Sequence, residues 1–245
     1  MRALITGASG FVGSHLANRL SQDHFVVGLV RDNVWVMYGS EEWDAEVRGN
    51  FDDIERTISE YEIDTVFHLG AQVQVSTAVR YPIGTFESNI EGTWKVLEAC
   101  RRQKVKRIVI ASTDKCYGDG KSPYIEGQEI KPHGIYAPSK ACADLIAQSY
   151  IAEYSMPVSI TRCGNIYGPG QVNWSTLIPG TIRSIMERKR PVLRSNGTLK
   201  RDYLYVDDVV DGYIRLAESQ AIGPFNFGTG QGRTVLEVVH EISKI

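Results

Sequence analysis

A glycine-rich turn near the start of the chain limits what this sequence can fold into. Segment 6–13 reads TGASGFVG and lies between a short hydrophobic run and a helix-patterned stretch. Gly7 permits a tight turn with an unusual φ, Gly10 lets the backbone approach a phosphate, and Gly13 lets the helix lie against the sheet. The helix then points free N–H groups at that phosphate. The turn and its flanks therefore predict a dinucleotide-binding strand–turn–helix unit.

Short hydrophobic segments alternate with helix-patterned segments along the chain. The predicted strands are 2–5, 25–30, 65–69, 107–112 and 158–162, and the predicted helices are 14–22, 52–61, 83–103 and 136–154. Such alternation is typical of an α/β fold of the Rossmann type, with a doubly wound parallel sheet. We assign residues 1–167 to this NAD(P)-binding domain. Residues 168–245 are richer in loop-forming and basic residues, so we expect a smaller C-terminal substrate lobe with some segments returning to the core.

Composition excludes several classes of protein. The 245 residues carry a net charge of -2, so no basic excess points to a nucleic-acid partner. No apolar run approaches the ~20 residues that a membrane-spanning helix needs. The four cysteines are far apart, which predicts neither a metal site nor a disulfide framework. A first strand beginning at residue 2 leaves no room for a signal peptide, so we expect a cytoplasmic protein.

The end of the second predicted strand indicates the cofactor. An acidic residue normally binds the ribose hydroxyls of NAD at this place. Here Val30 occupies it and Arg31 follows, a residue type suited to a 2′-phosphate. We therefore expect NAD(P), with NADP favoured over NAD. The alternative is that Arg31 is a solvated surface charge and Asp32 binds the ribose.

A tyrosine and a lysine four residues apart mark the candidate reaction centre. Tyr136 and Lys140, in YAPSK, share one face of the predicted helix 136–154. The same spacing occurs in Tyr117 and Lys121, but two glycines between them place that pair in a loop. A lysine ammonium and an oxidised nicotinamide would together lower the tyrosine pKa. We expect Tyr136 to take a proton from a substrate hydroxyl, the alternative being a packed tyrosine beside a surface lysine.

Polar residues also follow the predicted strand 107–112. Ser112 or Thr113 could hydrogen-bond the hydroxyl that the tyrosine deprotonates. Asp114 and Lys115 add a second acid/base pair at the ligand-binding edge of the sheet. The alternative for Asp114 and Lys115 is an ordinary turn or helix cap.

Several motifs in a fixed order carry a family resemblance over nearly the whole chain. They are TGASGFVG, DTVFHLGAQ, STDKCYG, YAPSK, RCGNIYGPG and KRDYLYVDDV. Together they resemble extended short-chain dehydrogenases/reductases of the NAD(P)-dependent nucleotide-sugar epimerase/dehydratase family. The segments HLGAQ, VSTA and TFESNIEGTW, with the Asp-Lys pair, are most similar to CDP-glucose 4,6-dehydratases.

The resemblance implies a reaction. Hydride leaves C4 of a nucleotide hexose, water is lost across C5 and C6, and the hydride returns to C6 to give a 4-keto-6-deoxy sugar. A C4 ketone acidifies the C5 proton, which makes the elimination feasible. Asp114 would protonate the departing 6-hydroxyl and Lys115 would remove the C5 proton, as an uncharged amine. dTDP-glucose dehydratases usually have glutamate in place of Lys115, and epimerases generally lack the pair.

The resemblance also implies site residues, and no metal ligand is among them. Catalytic residues are Thr113, Asp114, Lys115, Tyr136 and Lys140. Cofactor-binding residues are Gly7, Ser9, Gly10, Phe11, Val12, Arg31, Asp32, Asn50, Phe51, Leu69, Gly70, Ala71, Ser112, Tyr136, Lys140 and Cys163. Substrate-binding residues are Gln72, Thr113, Asn165, Arg194 and Arg201. The two arginines suit a diphosphate, although arginine-rich lobes are often merely solvated.

The chain departs from the family's pattern in two ways. Asn50 stands where the family usually has an aspartate facing the adenine. The chain is also shorter than is usual for the family, so we expect an incomplete substrate lobe.

Two further features follow from the resemblance. Asn89 would join a strand to the catalytic loop through backbone hydrogen bonds. Helices 83–103 and 136–154 resemble those of the family's dimer interface, which predicts a homodimer. Two alternatives to the dehydratase stay open, a nucleotide-sugar 4-epimerase and a non-catalytic NADP-binding regulator.

Overall fold

A seven-stranded parallel sheet forms the centre of the protein. The computed structural model describes residues 1–31 and 43–244. The sheet strands are β1 (Arg2–Thr6), β2 (Phe25–Val30), β3 (Ala45–Arg48), β4 (Thr65–His68), β5 (Arg107–Thr113), β6 (Val158–Cys163) and a later strand, Gly223–Phe227, which is β10. Their order is β10-β6-β5-β4-β1-β2-β3, and every neighbouring pair is parallel. The order reverses beside β1, the switch point at which such sheets bind ligands.

Helices cover both faces of the sheet. They are α1 (Phe11–Leu20), α2 (Ile54–Glu60), α3 (Val75–Arg80), α4 (Pro82–Phe86), α5 (Gly92–Arg102), α6 (Tyr136–Tyr154), α7 (Leu177–Met186), α8 (Val206–Glu218) and α9 (Val235–Ile242). Side chains alternate along β1, so Leu4 packs with α2 and α5, whereas Ala3 and Ile5 pack with α1 and α8. This alternation divides the core into two apolar layers.

The glycine turn brings α1 close to the end of β1. Gly7 has a φ of 72°, in the left-handed region that favours glycine. A Cβ on Gly13 would lie 2.1 Å from the Gly7 carbonyl oxygen, so only glycine fits there. The first turn of α1 has no side-chain cap. Its backbone N–H groups therefore face the cleft that the turn borders.

Small pairs of strands lie beyond the main sheet. β7 (Asn165–Tyr167) pairs with β9 (Tyr203–Tyr205), and β8 (Lys200–Arg201) pairs with β11 (Arg233–Thr234). Helices α7 and α9 pack on one another here. In contrast, α8 and β10 return to the main sheet and complete its core. The later third of the chain therefore contributes both to the sheet and to the cleft above it.

The predicted strands are found to within one residue at each end, but three predicted helices differ. The stretch 14–22 is α1, which begins three residues and ends two residues earlier than predicted. The stretch 83–103 is α4 and α5 joined by a π-helical turn, Glu87–Glu91. The stretch 52–61 is a short 3-10 turn, Phe51–Asp53, followed by α2. Asn50 caps that turn, and Asn89 lies in the π-helical one. Both interruptions therefore occur where a polar side chain bonds to backbone outside a regular helix.

Candidate active site

The carboxyl edge of the sheet opens into one large cleft. Its volume is about 2040 Å³, and its walls come from the glycine turn, the ends of β4, β5 and β6, the start of α6 and the small strands. Sites for one small molecule usually measure roughly 300–1,000 Å³. The cleft therefore has room for two ligands side by side.

Most of the residues predicted from the sequence line this cleft. They are Gly7, Ser9, Gly10, Phe11, Val12, Arg31, Asn50, Phe51, Leu69, Gly70, Ala71, Ser112, Thr113, Asp114, Lys115, Tyr136, Lys140, Cys163, Asn165 and Arg201. Asp32 lies outside the described residues. Gln72 and Arg194 are described but do not line the cleft.

Tyr136 begins α6 and lies beside the end of β5. Burial, and then the negative charge of Asp114, raise its pKa to about 12. A hydrogen bond with the Thr113 hydroxyl acts in the opposite direction. The expected lowering by the Lys140 ammonium is therefore not found in the protein alone, because burial is the largest influence on this pKa. A further positive charge bound in the cleft would lower it.

Lys140 is 5% exposed and points from α6 to β5. Its Nζ donates a hydrogen bond to the Ala111 carbonyl oxygen at 2.6 Å. Burial lowers its pKa to about 8, although the nearby Asp144 carboxylate raises it. The Lys140 ammonium therefore begins to lose its proton at a much lower pH than an exposed lysine does.

Ser112 and Thr113 point in opposite directions, as neighbours on a strand do. The Ser112 hydroxyl donates to Asp144 Oδ2 at 2.9 Å. Thr113 faces Tyr136 and also accepts a hydrogen bond from the Lys115 backbone N–H. Of the two hydroxyls left open by the sequence, Thr113 is therefore the one beside the tyrosine.

Asp114 and Lys115 form an ion pair in the 3-10 turn that follows β5. Lys115 Nζ lies 2.5 Å from Asp114 Oδ1. The side chains are 20% exposed for Asp114 and 36% for Lys115. Thr113 caps the turn, so the pair is held directly after β5, whose end lies beside Tyr136. A proton donor and acceptor thus meet on the cleft wall.

The cofactor end of the cleft combines the glycine turn with Phe51. The Phe51 ring lies edge-on to His68, with ring centroids 5.4 Å apart. Asn50 Oδ1 accepts the backbone N–H of Asp52 at 2.7 Å, so its amide oxygen is committed to the cap. Arg31 is exposed at the rim.

The substrate end holds Asn165 and Arg201. The Asn165 backbone N–H donates to the Asp202 carbonyl oxygen at 2.9 Å, and Arg201 is exposed on β8. Gln72 instead donates its amide to Gln74 and Thr85, which turns it away from the cleft. Arg194 is exposed in the loop between α7 and β8 and does not line the cleft.

Comparison with known proteins identifies the family. The profile of the NAD dependent epimerase/dehydratase family matches residues 3–228, most of the chain. The chain belongs to the NAD-dependent epimerase/dehydratase family. The expected Rossmann-type fold and family membership are thereby confirmed.

Relatives of this epimerase/dehydratase chain include both kinds of enzyme. It is 30% identical over 275 residues to the dTDP-D-glucose 4,6-dehydratase of Dictyostelium discoideum, covering 100% of this chain and 62% of that relative. The UDP-glucose 4-epimerase of Thermotoga maritima, solved with UDP-glucose, has a TM-score of 0.93 and 27% identity over 100% of this chain and 82% of that one.

A further solved dehydratase carries a cofactor. The dTDP-glucose 4,6-dehydratase of Bacillus anthracis in complex with NAD has a TM-score of 0.88 and 26% identity, covering 100% of this chain and 80% of that one. The chain spans less than two thirds of the Dictyostelium relative's length, namely 62%.

Sequence reasoning missed part of the polar network behind the cleft. His68 bonds Thr6 and Thr93, and burial followed by the charge of Lys140 lowers its pKa to about 3, so it stays neutral. Asp144 and Arg162 form a buried ion pair. One signal was available: Asp144 follows Lys140 by four residues on the same helix, which places both on one face.

Two further properties concern the described residues 1–31 and 43–244. None of their helices is long and apolar enough to cross a membrane. They also contain no group of three or more His, Cys, Asp or Glu side chains arranged to hold a metal ion.

Proposed function

We propose that this protein is a nucleotide-sugar 4,6-dehydratase that makes a 4-keto-6-deoxy sugar nucleotide. The observation that carries the proposal is the shared cleft wall: the Asp114–Lys115 pair follows the strand end whose Thr113 hydroxyl meets Tyr136. Tyr136 and Thr113 serve oxidation at C4, and the pair serves elimination across C5 and C6. A C4 oxidation alone would need no second acid/base pair.

The residues present suit a dinucleotide. A Cβ on Gly7 would lie 2.8 Å from Gly70, so the two glycines form a cradle that a side chain would fill. Gly10, Phe11 and Val12 then place the N-terminus of α1 at the diphosphate. When bound, the nicotinamide supplies a hydride acceptor at the start of the reaction and a hydride donor at its end.

Tyr136 takes the proton of the C4 hydroxyl. Its raised pKa, with Lys140 already in place, means that it needs a further positive charge to ionise, which the oxidised cofactor would supply. Thr113 orients the same hydroxyl by a hydrogen bond. Lys140, fixed on Ala111, also lies where it can hold a ribose hydroxyl of the cofactor.

The Asp114–Lys115 pair performs the elimination without exchanging protons with solvent. Transfer of one proton from the Lys115 ammonium to the Asp114 carboxylate gives a neutral acid beside a neutral amine. The amine then removes the C5 proton while the acid protonates the departing 6-hydroxyl, which leaves as water. Once C6 has been reduced, the Lys115 ammonium, whose protons come from water, gives a proton to C5. The proton that Tyr136 took from the C4 hydroxyl then passes through water to the Lys115 amine, which restores the ion pair for the next turnover. A closed cleft favours the neutral form because it desolvates both charges.

For the cofactor, the proposal favours NADP over NAD. Arg31 at the end of β2 is exposed and lines the cleft, where a guanidinium can bind a 2′-phosphate bidentately. The B. anthracis dehydratase was solved with NAD, which makes NAD the alternative.

For the substrate, the proposal is a nucleoside-diphosphate hexose. Arg201 offers a cation and Asn165 an amide at the far end of the cleft, as a diphosphate and sugar require. CDP is proposed as the nucleotide because of the likeness carried by Lys115. Gln72 and Arg194 have no assigned contact with substrate in this arrangement.

A nucleotide-sugar 4-epimerase is the second candidate, supported by the TM-score of 0.93 to the T. maritima epimerase. Epimerisation would use Tyr136 and Lys140 and leave Asp114 and Lys115 as a structural pair. Incubation with a panel of nucleotide hexoses tests the choice. A 4-keto-6-deoxy product supports the dehydratase, whereas a C4 epimer with unchanged composition contradicts it.

The proposal extends to assembly and location. Apolar side chains are exposed on the segments that resemble the family's dimer-forming helices, including Ile83, Trp94 and Leu145. A homodimer would bury them, and sedimentation of the purified protein tests this: a monomer at micromolar concentration would contradict it. The cytoplasmic location stays a prediction.

A further inference from the structure

A buried ion pair lies directly behind the candidate catalytic residues. Arg162 Nε donates to Asp144 Oδ2 and Arg162 Nη2 donates to Asp144 Oδ1, each at 2.9 Å. The exposed fractions of the side chains are 2% for Arg162 and 0% for Asp144. Two parallel hydrogen bonds fix the angle between the groups as well as their distance. The pair therefore holds α6 and β6 in one relative orientation.

The carboxylate of this pair also reaches the catalytic strand. Ser112 Oγ donates to Asp144 Oδ2 at 2.9 Å. Lys140, one helical turn before Asp144, donates to the carbonyl of Ala111, the residue before Ser112. Two charged groups on one face of α6 thus bind adjacent residues at the end of β5.

The guanidinium reaches the loop that follows the acid/base pair. Arg162 Nη1 donates to the Tyr117 hydroxyl and to the Glu126 carbonyl oxygen, each at 2.9 Å. The Tyr117 hydroxyl in turn donates to Asn226 Oδ1 on β10 at 2.7 Å. Arg162 therefore connects β6, β10 and the segment after Lys115.

Stability alone does not explain such a pair. Taking two charges out of water is costly, and apolar residues of similar volume often stabilise a core as well or better. The pair instead bonds Ser112, the neighbour of Thr113 on β5, and Tyr117, which ends the turn that contains Asp114 and Lys115. The geometry accordingly points to a role in the reaction.

We propose that Asp144 and Arg162 are positioning residues for the reaction. They hold the strand end with Thr113, the helix with Tyr136 and Lys140, and the loop after Lys115 in one arrangement, and the Asp144 carboxylate compensates the charge of Lys140. The positioning part rests on the function proposed above, whereas the charge compensation is a property of the protein without substrate.

Several charged or titratable groups face Lys140, and Asp144 is the main source of negative charge among them. Burial lowers the pKa of Lys140, and Asp144 is the largest influence in the opposite direction. Cys163 on β6 also raises it, but burial keeps its own thiol protonated, with a pKa of about 11. His68 on β4 is neutral. Tyr136 on the same helix is protonated, and Asp114 acts on Tyr136 and Cys163.

Titration of Lys140 tests the charge compensation without substrate. Protein labelled with 13C at lysine Cε is followed by NMR against pH, and the Lys140 resonance is assigned by its loss in Lys140→Met. Asp144→Asn should lower the Lys140 pKa by ~1 unit, because the carboxylate no longer favours the ammonium. Arg162→Lys keeps the charges and should leave the Lys140 pKa unchanged. An unchanged pKa in Asp144→Asn would overturn this part.

Glu153→Gln is the matched control for net charge. Glu153 is exposed near the end of α6, so solvent and salt screen its charge, and its removal should leave the Lys140 pKa unchanged. A shift as large as that in Asp144→Asn would mean that any charge on the helix acts equally, which contradicts the specific role of Asp144.

Kinetics test the positioning part. Arg162→Lys keeps the charge but loses the two-pronged bond, and Ser112→Ala removes the link to β5. Each should lower kcat for cofactor reduction ~10-fold with little change in KM. The double variant should lose less than the product of the two single losses, because both act through Asp144. Independent, multiplicative losses, or unchanged kcat in the folded Arg162→Lys protein, would overturn the proposal.

The experiments distinguish a failure of the positioning proposal from a failure of the proposed function. A wild-type protein that turns over no nucleotide hexose contradicts the dehydratase, and the lysine titration then still decides the role of Asp144. Should Asp144→Asn not fold, the kinetic cycle of Arg162→Lys and Ser112→Ala decides the positioning role.

Discussion

Lys115 Nζ lies 2.5 Å from Asp114 Oδ1 at the end of β5, on the wall of the cleft that also contains Tyr136. The ion pair and its neutral form contain the same number of protons. A proton can therefore pass between the two groups without any exchange with solvent. Both forms needed for elimination, an acid and an amine, arise from that single transfer.

Replacement of Lys115 separates the two halves of the proposed reaction. Lys115→Met should lower the overall rate of dehydration by ~10²–10⁴-fold, since the base that removes the C5 proton is lost. Oxidation at C4 uses Tyr136 and should persist, so reduced nicotinamide should accumulate and be visible by absorbance. Lys121→Met, in the exposed loop nearby, is the control and should retain dehydration. Unchanged turnover in Lys115→Met would remove the assigned role.

Loss of the Tyr136 hydroxyl should block the first step. Tyr136→Phe should reduce the rate of cofactor reduction by ~10²–10⁴-fold, because no group remains to take the C4 hydroxyl proton. Cofactor binding, measured by calorimetry, should be kept, since the glycine turn is intact. Tyr154→Phe at the exposed end of the same helix is the control. Equal rates for both variants would contradict the assignment of Tyr136.

Burial of Lys140 should make stability depend on pH. Its pKa is lowered from 10.5 to about 8 in the folded protein, so between these values the unfolded chain binds more protons. The free energy of unfolding should therefore rise with pH across this window, by ~3 kcal/mol for this group at about 1.4 kcal/mol per pKa unit. Below pH 8 the lysine is protonated in both states, so its effect on the free energy of unfolding no longer changes with pH.

Lys140→Met isolates that contribution. Urea unfolding of both proteins without cofactor, at several pH values, gives the difference in their free energies of unfolding. That difference should move in favour of the wild type as the pH rises from about 8 to 10.5. Groups that do not interact with Lys140 titrate alike in both proteins and cancel. A difference independent of pH would show that Lys140 titrates normally.

Local patterns in the sequence were enough for the sheet and the glycine turn. Strands such as β4 are buried on both faces, so their hydrophobic runs mark them directly. The π-helical turn could not be foreseen, because Asn89 bonds the backbone of Gln72 and the hydroxyl of Ser139, which are distant in sequence. Likewise, the choice between Ser112 and Thr113 depended on which hydroxyl lies beside Tyr136 in the folded chain.

The electrostatics of the site were the least predictable part. The Tyr136–Lys140 spacing suggested a lowered tyrosine pKa, but burial raises it to about 12. Burial depends on how the whole chain packs and leaves no mark in a five-residue motif. Arg162 illustrates the same limit, since a charged residue within a buried strand implies a partner but does not indicate which residue that partner is.

Cofactor preference should depend on Arg31. Arg31→Ala should weaken NADP binding ~10-fold and leave NAD binding nearly unchanged, because only the 2′-phosphate loses a partner. Calorimetric titration with both dinucleotides measures this. Arg19→Ala, which removes an exposed arginine paired with Asp211, is the control for net charge. Wild-type protein that binds NAD more tightly than NADP would refute the preference.

Product analysis in heavy water tests the central claim most directly. The wild-type protein, its cofactor and nucleotide hexoses, with CDP-glucose among them, are incubated in deuterium oxide and the products are examined by mass spectrometry and NMR. The dehydratase predicts a product lighter by one molecule of water, with deuterium at C5 and a methyl group at C6. A product that keeps the full composition of its substrate and carries no deuterium would contradict it.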